Sequence, residues 1–199
     1  MIYAAGFEDT DAVHFTQTPH DMAWRLFEYA LKKEYDIELH ECIVEYNHYG
    51  KPFLREYPDI YFSISHCKGL AVCVLSDNEV GIDAETVGRS CKASVWKRVL
   101  SDSEYGQIMN VADKAERDMQ FLRYWTLKES YGKAIGRGLL YDYKTVIFST
   151  EDTIIASNLP DYRLWQTIIK YDYKEIVVSV CKKQTEAFDE NIEWVILDR

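Results

Sequence analysis

The sequence predicts an α+β fold, and three observations carry that expectation. A helical pattern of apolar residues comes early, at residues 19–34. Short alternating apolar runs follow to about residue 85. Helical character then takes over to about residue 135, and strand-like runs return after it. Helices and strands come in blocks, as two α+β halves meeting near residue 85 would give: an N-terminal half over 1–84 and a C-terminal half over 85–199. No low-complexity linker separates them, so the halves are expected to pack tightly.

Each element has its own signal. Met22, Leu26, Tyr29 and Ala30 recur at helical spacing, with Asp21 as the expected cap. Ile43-Val44-Glu45-Tyr46 makes a short strand, and Asn47-His48-Tyr49-Gly50-Lys51-Pro52 is a turn by composition. Tyr61-Phe62-Ser63-Ile64-Ser65 alternates as a strand should, and Ser65-His66 closes it. The apolar runs at 70–75 and 79–85 flank Ser76-Asp77-Asn78 and read as a hairpin. Helices are expected at roughly 90–100, 101–113 and 115–135. Strands are expected at 145–149, 153–156, 162–171, 175–182 and 192–197.

Composition narrows the class. Hydrophobic content of 47% and charged content of 28% suit an ordered globular chain. A net charge of −10 argues against a general nucleic-acid binder. No apolar run approaches membrane-spanning length. The start is too short in apolar residues, before Glu8 and Asp9, for a secretory signal core. Cys42, Cys67, Cys73, Cys91 and Cys181 form no CxxC pair and no metal-ligand spacing, so a cytoplasmic, reducing setting with free thiols is expected. Residues 114–139 reverse the charge: Lys114, Arg117, Arg123, Lys128, Lys133 and Arg137 face only Glu116, Asp118 and Glu129. That local excess suits a docked anion, or a charged helix face in solvent.

Two constellations can carry chemistry. In Trp125-Thr-Leu-Lys-Glu-Ser-Tyr-Gly-Lys133, Glu129 and Lys133 stand one helical turn apart on one face, and Lys128 points about 100° away. Phe121 and Trp125 share that stripe, which a solvated face rarely carries. The bland alternative is a helix salt bridge worth a few tenths of a kcal/mol. In Gly81-Ile82-Asp83-Ala84-Glu85 two carboxylates share one face of a strand; alone, they would fit a solvent-exposed sheet face. Together, three acids and a lysine suggest a magnesium–diphosphate site. No Gly-x-Ser-x-Gly surrounds a serine, and no glycine-rich phosphate loop is present.

The ordered set resembles the 4′-phosphopantetheinyl transferase superfamily, Sfp-type, over roughly residues 45–140. The matching pieces are Gly50-Lys51-Pro52, Phe62-Ser63-Ile64-Ser65-His66, Gly81-Ile82-Asp83-Ala84-Glu85, and Trp125 to Leu139 with its Gly136-Arg137-Gly138-Leu139 exit. Arg98-Val99-Leu100-Ser101 with Glu104 resembles the segment between the last two. The resemblance implies a pseudo-dimer of two similar α+β halves with the active site in the cleft between them. It implies transfer of 4′-phosphopantetheine from coenzyme A to a serine of an acidic acyl or peptidyl carrier protein, with Mg2+ as cofactor and a monomer as the working unit. By motif position, Asp83, Glu85 and Glu129 would hold the metal. Glu129 and Lys133 would be catalytic, with Lys133 on the diphosphate. Lys51, Pro52, Ser65 and His66 would meet the nucleotide end. One departure stands out: residues 1–24 contain no Lys or Arg, and Asp21 follows His20 where relatives often carry arginine. Two other functions use the same residues: a Mg-dependent diphosphate hydrolase with water replacing serine, and a non-catalytic module binding coenzyme A or a carrier.

Overall fold

The structure, a computed structural model of the chain, describes residues 1–7, 18–88, 91–151, 154–183 and 189–197. In chain order the elements are β1 (Ile2–Gly6), α1 (Pro19–Tyr35), β2 (Val44–Tyr46), β3 (Pro52–Leu54), β4 (Tyr61–Cys67), β5 (Leu70–Ser76) and β6 (Val80–Thr86). Three helices follow: α2 (Ala93–Val99), α3 (Asp102–Met109) and α4 (Lys114–Ala134). Then come β7 (Phe148–Glu151), β8 (Ile154–Ser157), β9 (Tyr162–Tyr171), β10 (Lys174–Lys183) and β11 (Ile192–Trp194). The mixed α+β class is as expected. Residues 90 and 153, expected starts of a helix and a strand, lie outside the described residues, as do Glu8 and Asp9.

The strands form two main sheets, ordered β11-β1-β5-β4 and β6-β10-β9. Alternate residues sort the layers, because strand side chains point to opposite faces in turn. Tyr3, Ala5, Phe62, Ala71 and Cys73 pack with the α1 residues Ala23, Leu26, Phe27 and Ala30. Ile2, Ala4, Val72 and Val74 point the other way and meet Val80, Ile82, Ala84, Val178 and Val180 of the second sheet. The remaining face of β6, carrying Gly81, Asp83 and Glu85, turns toward α4. The order is therefore helix, sheet, sheet, helix.

Several sequence expectations change. The cap of α1 is Thr18, whose side chain accepts from the Asp21 amide while Asp21 reciprocates, so Asp21 is the third residue of a capping box. Tyr29 is exposed and is not on the buried stripe. β1 and β3 were not foreseen. The runs at 70–75 and 79–85 are not a hairpin: β5 pairs with β1 and β4, and β6 pairs antiparallel with β10, so 76–78 crosses between sheets. Their similar apolar content hid the crossing, since pairing partners lie far away in sequence. Ser65 and His66 belong to β4 and do not follow it.

Candidate active site

β6 approaches α4 unusually closely, and Gly81 permits it. A Cβ there would lie 2.0 Å from the Ser130 carbonyl oxygen and 2.5 Å from the Ala134 amide nitrogen. That contact brings Asp83 beside the last turns of α4. Lys133 Nζ donates to the Ile82 carbonyl at 3.0 Å and to Asp83 Oδ1 at 2.8 Å. The face of β6 that could have been solvated is buried at Asp83, which is 6% exposed, and Glu129 on the facing helix α4 is 7% exposed.

The edge of β6 is closed by serines. The Ile82 amide donates to Ser63 Oγ at 3.1 Å, and the Ala84 amide donates to Ser65 Oγ at 3.4 Å. Two amides that a neighbouring strand would have satisfied thus meet hydroxyls of β4. The Ser65 hydroxyl in turn donates a hydrogen bond to Asp83 Oδ1 at 3.0 Å. Asp83 Oδ1 is held from two sides, and Asp83 Oδ2 is buried with no hydrogen-bond partner. Buried carboxylate oxygens are normally satisfied, so an orphan beside a cleft marks a place for a ligand.

Glu129 reaches the same place from α4. Its carboxyl is pushed up to about 7, first by burial, then by the charges of Asp83 and Glu85, against the hydrogen bond from Tyr143 and the charge of Lys133. Tyr143 donates to Glu129 Oε1 at 2.6 Å. Glu85 is half-buried one strand period beyond Asp83. Among the described residues no group of three or more His, Cys, Asp and Glu side chains stands ready-made for a metal. Lys133 lies on one oxygen of Asp83 and Tyr143 on one oxygen of Glu129. The donor set nonetheless fits a hard divalent cation, with three mutually repelling carboxylates and one buried oxygen unpartnered.

The expected nucleotide residues divide. Lys51 and Pro52 line a cavity of about 190 Å³ together with Tyr49, Phe62, Ser63 and Lys133. Lys51 Nζ also donates to the carbonyls of Val80 at 3.1 Å and Ala134 at 2.9 Å, and burial pushes its ammonium down to about 8. It ties the 47–52 turn to the ends of β6 and α4; Asn47 Nδ2 adds a bond to the carbonyl of Gly136, which sits at φ 68°. Ser65 is buried against Asp83. His66 is exposed and faces His20 of α1, ring centroids 6.4 Å apart, with its pKa lowered by partial burial and by the nearby His20 and Lys133. Cys67 stays a thiol, pushed up to about 11 by burial, and all five cysteines are free.

Sequence reasoning missed Tyr143 and the hydroxyl of Ser63. Tyr143 belongs to no motif and no periodic run, so no sequence signal marks it. Ser63 sat inside a motif but read only as a strand residue. The basic stretch at 114–139 also changes meaning: Lys128 is buried on Glu104, Lys133 is on Asp83 and Lys114 is on Asp118. Those three cations are engaged within the protein.

The family model described as 4′-phosphopantetheinyl transferase superfamily matches residues 79–181. The chain is 30% identical over 134 residues to 4′-phosphopantetheinyl transferase Sfp of Bacillus subtilis (strain 168), covering 66% of this chain and 58% of that one. It is 38% identical over 93 residues to 4′-phosphopantetheinyl transferase gsp of Aneurinibacillus migulanus, covering 47% and 38%. The chain thus spans less than two thirds of the length of these relatives. A holo-(acyl-carrier-protein) synthase from Bacillus anthracis str. Ames, solved in complex with CoA (3′,5′-ADP), is a distant structural likeness. Its TM-score is 0.41 and its identity 18%, covering 53% of this chain and 96% of that one. Among the described residues no helix is long and apolar enough to cross a membrane. The chain belongs to the 4′-phosphopantetheinyl transferase superfamily.

Proposed function

We propose that this chain transfers 4′-phosphopantetheine from coenzyme A to a serine of an acyl or peptidyl carrier protein, in a metal-dependent reaction. The observation that carries the proposal is the unpartnered buried Asp83 Oδ2, on a carboxylate bonded to Lys133, which itself lines a cavity that also reaches Lys51 and Pro52. Family membership supplies the reaction class. The helix–sheet–sheet–helix layering supports reading the molecule as two similar α+β halves, 1–84 and 85–199, with the site between them.

Asp83, Glu85 and Glu129 would hold the cation, Mg2+ by the chemistry of oxygen donors beside a diphosphate. When bound, it supplies charge neutralisation on the diphosphate oxygens. Lys133 meets the same oxygens, and its ammonium stabilises the negative charge that grows on the departing 3′,5′-ADP. The serine oxygen forms the new bond to the phosphorus of the phosphopantetheine arm as the bond to 3′,5′-ADP breaks. The serine proton leaves to a carboxylate of the cluster. Lys51, Pro52 and His66 lie on the side suited to the nucleotide, and Ser65 orients Asp83.

The working unit is proposed to be a monomer in a reducing, cytoplasmic setting, and the carrier an acidic protein. Intact-mass measurement tests the function. An apo-carrier incubated with the protein, coenzyme A and Mg2+ should gain one phosphopantetheine, and a chelator should abolish the gain. Loss of diphosphate without any mass gain on the carrier would favour a hydrolase.

A further inference from the structure

Tyr143 follows α4 in a short 3₁₀ turn, Tyr143–Thr145, and is held in three independent ways. Its ring lies parallel to Trp125 of α4, at 6° and 6.3 Å between centroids, and tilts against Tyr141 at 4.5 Å. Its carbonyl accepts from Lys128 Nζ at 2.7 Å. Lys128 is fully buried and fixed by Glu104 Oε2 at 2.9 Å. Its hydroxyl donates to Glu129 Oε1 at 2.6 Å. Lys128 and Glu129 are consecutive on α4 and point to different sides of it. One grips the main chain of Tyr143 and the other receives its side chain.

A glutamate on a helix can take several rotamers, and its two oxygens are equivalent until something distinguishes them. Here a rigidly mounted donor engages Oε1, which fixes the carboxylate and leaves Oε2 as the oxygen for a cation. Hydrogen-bonded partners behind a metal ligand commonly set both its orientation and the affinity of the site. We propose that Tyr143 is a positioning residue for Glu129, required for tight divalent-cation binding at the cluster of Asp83, Glu85 and Glu129. The inference rests on the metal-dependent reading of the site and adds a residue that no motif of the sequence contains.

Tyr143→Phe keeps the ring, its stacking and the carbonyl gripped by Lys128, and removes only the hydroxyl. Mn2+ serves as the probe, with free metal followed by electron paramagnetic resonance in the absence of coenzyme A. The wild-type chain should bind Mn2+ saturably. Tyr143→Phe should bind it roughly tenfold or more weakly, with an unchanged unfolding midpoint. In a Glu129→Gln background the same substitution should have no further effect. Wild-type Mn2+ affinity in Tyr143→Phe overturns the inference alone. So does an equal loss in the Glu129→Gln background, or a loss that comes only with a lowered unfolding midpoint. A wild-type chain without saturable Mn2+ binding overturns the metal-dependent reading and this inference with it.

Discussion

α4 carries two lysine–carboxylate pairs, little more than one turn apart, that do opposite things. Lys128 and Glu104 are both fully buried, and every strong bonding position is filled. Lys128 Nζ donates to the carbonyls of Tyr143 and Val146 as well as to Glu104. Glu104 also accepts from the amides of Ser101 and Phe148. Lys133 and Asp83 form the same kind of bond at 2.8 Å, yet Asp83 Oδ2 is buried without a partner and Lys133 borders a cavity. The pairs differ in completeness, not in charge or distance. A buried charge with all its bonds made serves the fold, whereas one left incomplete at a cleft is set to receive something.

Four expectations would break or sharpen that contrast. The largest effect belongs to the closed pair. Lys128→Met leaves Glu104 charged and uncompensated in the interior and should cost about 3–5 kcal/mol of stability. Denaturant unfolding would measure it, and transfer activity should disappear with the fold. An unfolding free energy close to wild type would mean that the pair is not the structural clamp described above.

Next is the open pair. Lys133→Ala should lower turnover by roughly a hundredfold or more, the scale of losing one electrostatic donor, with little change in coenzyme A affinity. Single-turnover kinetics with separate binding measurements would separate the two. A loss confined to affinity would move Lys133 away from the departing group.

Lys51 stands between the two kinds. Lys51→Ala should weaken coenzyme A binding by roughly tenfold, about the worth of one charged hydrogen bond, with turnover nearly kept. Because Lys51 also holds the carbonyls of Val80 and Ala134, the unfolding midpoint should fall with it. A binding loss with no thermal effect would show those two bonds to be unimportant.

The smallest effect is in pH. Glu129 holds its proton up to about 7 when folded, against 4.5 in the unfolded chain. Between those values the folded state keeps a proton that the unfolded chain has released. The penalty for charging Glu129 is therefore absent below about 4.5 and complete above about 7, so metal-free stability falls as pH rises through that window. The total is of order 3 kcal/mol at most. Glu129→Gln should flatten that slope, and thermal midpoints across pH 4–8 would show it. An unchanged slope would place the titration elsewhere.

Much of this arrangement was legible in the letters. The spacing of Glu129 and Lys133, and of Asp83 and Glu85, gave the correct faces because helix and strand periods fix them locally. β9 fell at 162–171 as expected, in a run rich in aromatic and β-branched residues. Sheet partners were not legible: nothing local in 79–85 says that its neighbour is β10 and not β5. The bond between Lys133 and Asp83 followed from that pairing and from the close approach at Gly81, so the sequence placed Lys133 with Glu129 alone. Tyr143 was hidden for the same reason, being brought back to α4 by a loop that Lys128 clamps. The sequence could not separate the closed lysine from the open one, because Glu104 lies on the preceding helix, α3.

Asp83→Asn tests the central contrast most directly, because it keeps the shape and removes the charge of the incomplete residue. Single-turnover transfer to an apo-carrier and the free energy of unfolding should be measured on the same preparation. Transfer should fall by roughly a hundredfold or more, and the unfolding free energy should stay equal or rise, since the charged oxygen left without a hydrogen-bond partner is gone and Lys133 keeps its bond to the Ile82 carbonyl. A folded Asp83→Asn with near wild-type transfer, or one whose transfer falls only in step with its stability, would contradict the account.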